Sequence, residues 1–174
     1  MSKKVEDKNT KKKSKMKAST KFTIMAVILI AIFSFAITPI TLQNDTYYTI
    51  KIGEHIVQKG IDMQDPFSWH ENLPYTYPHW LYDLLTYLIY SLFSFEGIYI
   101  TTVILSIILG ITVFFVNKKI TKNEIISFVV TISALYMMKG YIAARAQLVT
   151  FILFMFELYF IEKFIESKKI KYSI

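Results

Sequence analysis

The sequence predicts an all-α integral membrane protein, with about four transmembrane helices and an external loop that carries interfacial helices. Three observations predict it. Apolar residues make up 53% of the 174-residue chain and mean hydropathy is +0.39, more than a soluble domain of this size carries. Residues 22–42 and 98–116 are uncharged runs of 21 and 19 residues, each long enough to cross about 30 Å of hydrocarbon as a helix. Nine of the nineteen lysines stand in residues 1–21, ahead of the first run, as expected of a tail kept at the cytoplasmic face beside anionic headgroups. The tail has no interleaved aromatics, so it points to a lipid surface and not to nucleic acid. The absence of cysteine excludes disulfides, thiolate metal sites and cysteine nucleophiles.

Taken in order, residues 1–21 are the basic tail and residues 22–42 the first transmembrane helix. Ser34-Phe35-Ala36 has the form of a signal-peptide cleavage site, but the apolar run continues to Leu42, which favours a retained anchor. Residues 43–97 form a polar, aromatic loop with all three histidines, both tryptophans and three of the four prolines. Residues 98–163 hold transmembrane helices 2–4, expected over 98–116, 125–141 and 146–161, the third reaching full length if Lys139 snorkels. Residues 164–174 are a basic cytoplasmic end.

The segment 84–95 decides the topology. Only 12 residues, mostly apolar, separate Asp83 from Glu96, too few for an ordinary crossing and suited to a helix lying in the interface. If it crossed, Lys and Arg would divide eleven inside to nine outside; if it lies flat on the outer interface, they divide sixteen to four. The positive-inside bias selects the second arrangement. It places Arg145, the only arginine, on the same outer face as the acidic loop.

Within the loop, Tyr48, Ile52 and Ile56 recur every four residues, predicting a helix over 46–59 ended by Gly60. Pro66, Pro74 and Pro78 then punctuate an irregular run, and the interfacial helix starts near Trp80.

The order of these pieces carries a resemblance. Asp45, Tyr48, Gly53 and Gly60, then Asp65-Pro66-Phe67-Ser68, His79-Trp80-Leu81 and Arg145-Ala146-Gln147, follow a first span. The pattern resembles the N-terminal part of GT-C-type integral membrane glycosyltransferases, among them the protein mannosyltransferases, the aminoarabinose lipid A transferases and bacterial relatives, over about residues 20 to 163. The resemblance implies a polyprenyl-phosphate sugar as donor, an extracytoplasmic acceptor, and an outward-facing site in a multi-span bundle of the cell envelope. Such enzymes carry further spans, so it also implies that the chain is a truncated or split portion, with a missing C-terminal half or another membrane subunit as partner.

Sugar transfer from a lipid phosphate needs a carboxylate to take the acceptor's proton and positive charge to meet the departing phosphate. The match to the family's first-loop acid makes Asp45 the candidate catalytic base; the competing reading is an N-cap for the 46–59 helix. His79 and Arg145 are candidates for phosphate binding, Arg145 because a planar fork suits phosphate and this chain otherwise uses lysine. Asp65 joins them as a substrate-binding candidate, although an Asp before proline more often starts a turn. His55, His70 and His79 lack metal-ligand spacing, so a divalent cation (Mg, Mn or Zn) enters only as a cofactor expectation with unassigned ligands. Glu157 is a carboxylate within the fourth span, where it needs a partner, a polar surround or a proton. Two other functions compete: a non-enzymatic accessory or assembly protein whose outer loop binds a partner or lipid headgroups, and a transporter piece built around Glu157 and Pro39.

Overall fold

The computed structural model describes residues 18–70 and 73–172; the lysine-rich tail ahead of Ala18 lies outside them. The described chain is helical: α1 (Ala18–Ile37), α2 (Asn44–Lys59), α3 (Trp80–Thr121), α4 (Glu124–Met138) and α5 (Ala146–Ser167), with 3₁₀ turns at Lys139–Tyr141 and Ile170–Tyr172. Among the described residues there is no strand, only one isolated antiparallel bridge between Gln64 and Pro74.

Local chemistry sets the ends. Pro39 disfavours helical backbone at Thr38, and α1 stops at Ile37. The Asn123 side chain accepts from the amides of Ile125 and Ile126 at 3.0 and 3.1 Å, capping α4. Lys122 ahead of it takes a left-handed conformation (φ 55°) that reverses the chain between α3 and α4. Helix α2 begins two residues earlier than expected, with Gln43 at its N-cap and Asp45 already in the first turn. It ends at Gly60, whose φ of 82° glycine adopts without strain.

Helix α3 is two arms. At Ser94 the backbone leaves helical values (φ 56°, ψ −154°). In an unbroken helix residues eight apart are separated by about 12 Å. Here a Cβ placed on Gly97 would stand 3.2 Å from Ile89 Cγ2 and 3.4 Å from the Ile89 carbonyl oxygen. The first arm, residues 80–93, therefore folds back on the second, residues 95–121.

Two ends of the bundle are marked by polar contacts. At one, Ser19 and Thr23 of α1 donate to Glu124 at the start of α4, and Lys118 near the end of α3 pairs with the same carboxylate at 2.7 Å. Lys119 of α3 pairs with Glu166 near the end of α5. At the other end, the Thr46 hydroxyl of α2 donates to the Ala144 carbonyl before α5 at 3.2 Å, and Ile50, Ile98 and Ala144 cluster. So α1, the second arm of α3, α4 and α5 run alternately up and down. Helix α2 and the first arm of α3 stay together at the second end, where a Cβ on Gly53 would come within 2.2 Å of the Asp83 carbonyl oxygen.

Packing is inside-out relative to a soluble bundle. The helix contacts bury Ser34, Thr102, Ser106, Ser127 and Thr131, each no more than 5% exposed, among Ile30, Leu109, Phe114 and Leu135. Outside, Ile24, Ile28, Ile32, Phe35, Ile104, Val129 and Leu153 present bare aliphatic and aromatic surface. Small and hydroxyl-bearing residues at the contacts let the helices approach closely. At Gly110 a Cβ would meet Ile30 at 2.7 Å, Ser34 at 2.8 Å and Leu135 at 3.1 Å, so three helices converge on that one missing side chain. Two helices, over Ser19–Ile37 and within Trp80–Thr121, are long and apolar enough to cross a membrane by themselves.

Candidate functional site

Three of the four predicted site residues meet. Asp45 comes from the first turn of α2, His79 from the residue that opens α3, and Arg145 from the residue that opens α5. They line one cavity of about 310 Å³ together with Tyr48, Thr49 and Gln147. Arg145 Nη2 lies 2.7 Å from Asp45 Oδ2, in a pair that is open to solvent on both sides. The Nε–H of Arg145 is buried and has no partner among the described residues, so the guanidinium keeps an unused donor beside the pair.

Asp45 does not cap α2. No side chain caps that helix, and the Asp45 carboxylate reaches sideways to Arg145 instead. Its place in the first turn still sets it in the positive field of the helix start.

Asp65 behaves as its turn reading requires. Its Oδ1 accepts from the Phe67 amide at 2.9 Å, closing a turn over Pro66, and it does not line the cavity. The turn sets Phe67 against Tyr48, ring centroids 5.1 Å apart, so Asp65 reaches the site only through that aromatic contact.

Asp83 is the residue that sequence reasoning missed. It is fully buried, and both its oxygens lie 2.9 Å from His79 Nδ1. The pair fixes the imidazole ring and turns Nε2 toward other partners. The His-x-x-x-Asp spacing at a helix start was the available signal, since residues four apart share a helix face; Asp83 had served only to bound an apolar run.

Behind the site a second network ties down the loop. Asp62 Oδ1 accepts from the Tyr77 hydroxyl at 2.8 Å and the Gln64 amide at 3.1 Å, and Oδ2 meets His55 Nε2 at 3.1 Å. The Tyr77 hydroxyl, the Gln64 amide and His55, in that order, hold the Asp62 carboxyl below the usual carboxylate range. Burial, then the Asp62 carboxylate, pushes the Tyr77 phenol up to about 12. Burial and the neighbouring Tyr75 likewise keep the Tyr48 phenol protonated, as a donor at the cavity wall.

An apolar trough leads away from the cavity. His79 and Ala146 are shared with a cavity of about 320 Å³ beside Trp80, Leu81 and Thr150. Tyr82, Leu85 and Val149 connect that one to a third, of about 200 Å³, floored by Ile98, Thr102 and Leu105. A larger apolar cleft of about 530 Å³, between α4 and α5, also reaches Gln147.

The possible metal donors are committed elsewhere: Asp45 to Arg145, Asp65 to a backbone amide and His79 to Asp83. Among the described residues no three His, Asp or Glu side chains gather as a ligand set. No family model matches the chain, and neither a curated protein nor a solved structure matches it. The GT-C resemblance rests on the residues quoted above.

Proposed function

We propose that the chain is a membrane glycosyltransferase of GT-C type, or the N-terminal part of one, taking a sugar from a polyprenyl-phosphate donor to an extracytoplasmic acceptor. The observation that carries this reading is one mouth holding a carboxylate, an arginine fork and an oriented histidine, continuous with an apolar trough. A lipid-borne phosphate needs both halves: donors for its oxygens and a greasy groove for its chain.

In this reading α1, the second arm of α3, α4 and α5 are four membrane spans. The lysine-rich end, with Lys118, Lys119 and Lys122, is cytoplasmic, and the first arm of α3 lies along the outer interface. The N-terminal tail is then cytoplasmic and the protein multi-pass.

The residues divide the work. Arg145 opens its fork to the phosphate oxygens, releasing Asp45 from the ion pair. The freed Asp45 carboxylate accepts the proton of the attacking acceptor group as that group displaces the phosphate from the sugar carbon. A single displacement inverts the anomeric centre, as in inverting glycosidases. His79, held by Asp83, offers Nε2 to the departing phosphate. Tyr82, Leu85, Ile89 and Leu105 hold the isoprenoid chain.

A second reading is non-enzymatic: Asp45–Arg145 and Thr46–Ala144 fasten α2 to the α4–α5 connection, and the outer loop binds a membrane partner. An exposed ion pair adds only about 0.2–1 kcal/mol, which makes a weak fastener. The experiment compares Asp45→Asn with the exchange Asp45→Arg/Arg145→Asp in proteoliposomes, following release of polyprenyl phosphate from a panel of polyprenyl-phosphate hexoses. Transfer requires that Asp45→Asn lose about 10²–10⁴-fold and that the exchange fail to restore it. A non-enzymatic chain releases no polyprenyl phosphate in any variant, turnover restored by the exchange makes the pair a clamp and not the catalytic base, and turnover that survives Asp45→Asn removes Asp45 from the chemistry.

A further inference from the structure

On the side of α2 turned away from Asp45, a separate cavity of about 480 Å³ opens between α2 and the corner of α3. At about 100° per residue, Tyr47, Lys51 and Glu54 fall on the face of α2 opposite Asp45, Tyr48 and Thr49. The first arm of α3 adds Tyr87 and Tyr90, and Phe95 follows immediately after the Ser94 break.

The aromatic walls depend on that break. Residues five apart on a straight helix point about 140° away from each other, yet the rings of Tyr90 and Phe95 meet at 4.9 Å. Phe95 also meets Tyr47 of α2 edge-on at 5.6 Å. Ser94 holds a positive φ with an extended ψ without being glycine, at a cost of about 1–3 kcal/mol. Tyr47 remains 48% exposed and Phe95 40%, so the rings keep bare surface to offer a ligand.

The polar side of the cavity is a matched pair: Lys51 Nζ donates to Glu54 Oε2 at 2.7 Å. Its net charge is zero, so a purely anionic or cationic ligand gains no Coulomb advantage there. What the pair does offer is one strong donor group and one strong acceptor group for hydroxyls. The aromatic rings offer flat apolar surface a few ångströms away. A ring with an apolar C–H face and a hydroxylated edge satisfies both.

We propose that this cavity is a saccharide site, which stacks a pyranose ring on Tyr47 and Phe95 and hydrogen-bonds its hydroxyls through Lys51 and Glu54. The ring is carried either by a glycolipid headgroup at the bilayer surface or by a soluble glycan. The site stands apart from the Asp45 mouth and does not require that the chain catalyse transfer.

The test uses the full chain in phosphatidylglycerol nanodiscs. One arm measures saturation transfer by NMR to the ring protons of methyl glucoside, galactoside and mannoside, with sorbitol as control. The other measures by native mass spectrometry whether diglucosyl-diacylglycerol, mixed into the discs, is retained over phosphatidylglycerol. The expected result is ring-proton transfer, lipid retention, or both, reduced at least tenfold in Tyr47→Ala and in Glu54→Gln and unchanged in Glu166→Gln, at the opposite end of the bundle. Transfer to free glycosides identifies a soluble glycan; retention of the lipid alone identifies a headgroup. Glu54→Gln alters an exposed ion pair and leaves the helix intact, so loss there is not a folding defect. Signal in neither arm, or signal that survives both Tyr47→Ala and Glu54→Gln, overturns the proposal.

Discussion

Arg145 is where the chemistry of the site is most concentrated. One nitrogen of its guanidinium holds Asp45 at 2.7 Å, while the buried Nε–H stays without a partner among the described residues. Arg145→Lys keeps the charge and loses the fork, and it should weaken retention of polyprenyl phosphate by about tenfold, or about 1.4 kcal/mol. Unchanged retention would reduce Arg145 to an anchor in the headgroup layer. Asp62 gives a pH-dependent counterpart. Because its folded carboxyl titrates below the usual range, its bonds to Tyr77 and His55 stabilise the loop above the ordinary carboxylate pKa and are lost as pH falls through the depressed folded value. Hydrogen exchange of residues 61–70 and 73–78 should therefore accelerate below about pH 4, and Asp62→Asn should show the fast exchange already at pH 7. Identical profiles for the two proteins would remove this network as the loop's fastening. At this scale the sequence singled out residues that the structure gathers at one cavity, Asp45, His79 and Arg145, because a lone arginine and an ordered set of loop residues stand out in a lysine-rich chain. It did not disclose what holds them. The four-residue spacing of His79 and Asp83 was a local signal, whereas a contact 100 residues away along the chain, which no local pattern encodes, made Asp45 an ion-pair partner and not a cap.

Helices α2 and α3 meet at Gly53, and the position of the site depends on that meeting. A Cβ there would lie 2.2 Å from the Asp83 carbonyl oxygen and 2.5 Å from Tyr87 Cβ. Gly53→Ala should push α2 off α3, destabilise the chain by about 1–3 kcal/mol, and separate Asp45 from His79. Thermal unfolding in detergent reads the first effect, and loss of turnover in protein that still inserts reads the second. Asn123→Ala should cost about 1 kcal/mol through the lost cap of α4 and leave the distant site untouched. The helices themselves were legible from uncharged runs and from Gly60 at the end of α2, although α1 stops at Ile37 before Pro39 and does not run to Leu42. The corner in α3 was not. Ser94 is neither glycine nor proline, and the apolar run passes through it to Phe95 without interruption. The Ser94 backbone and the approach of Ile89 to Gly97 reveal the fold-back, which keeps residues 80–93 with α2 at one end of the bundle.

The whole molecule is an up-and-down bundle whose two ends differ in kind. Lysines and carboxylates fasten one end, through Lys118, Lys119, Glu124 and Glu166; aromatics, α2 and the cavity mouth crown the other. Lys118, Lys119 and Lys122 lie together at the first end, and the side of the membrane that this end faces is set by how charge is sorted during insertion, not by packing detail. Whether Asp45 and Arg145 serve a lipid-borne phosphate outside the cell depends on the sidedness of those ends. The chain contains no cysteine, so His70→Cys and Ile120→Cys each install a single thiol, one beside the loop and one at the lysine-bearing end. Labelled in whole cells with a membrane-impermeant maleimide, position 70 should react and position 120 should react only after permeabilisation. Labelling of position 120 from outside, with position 70 protected, would invert the molecule and contradict the assignment of an extracytoplasmic site.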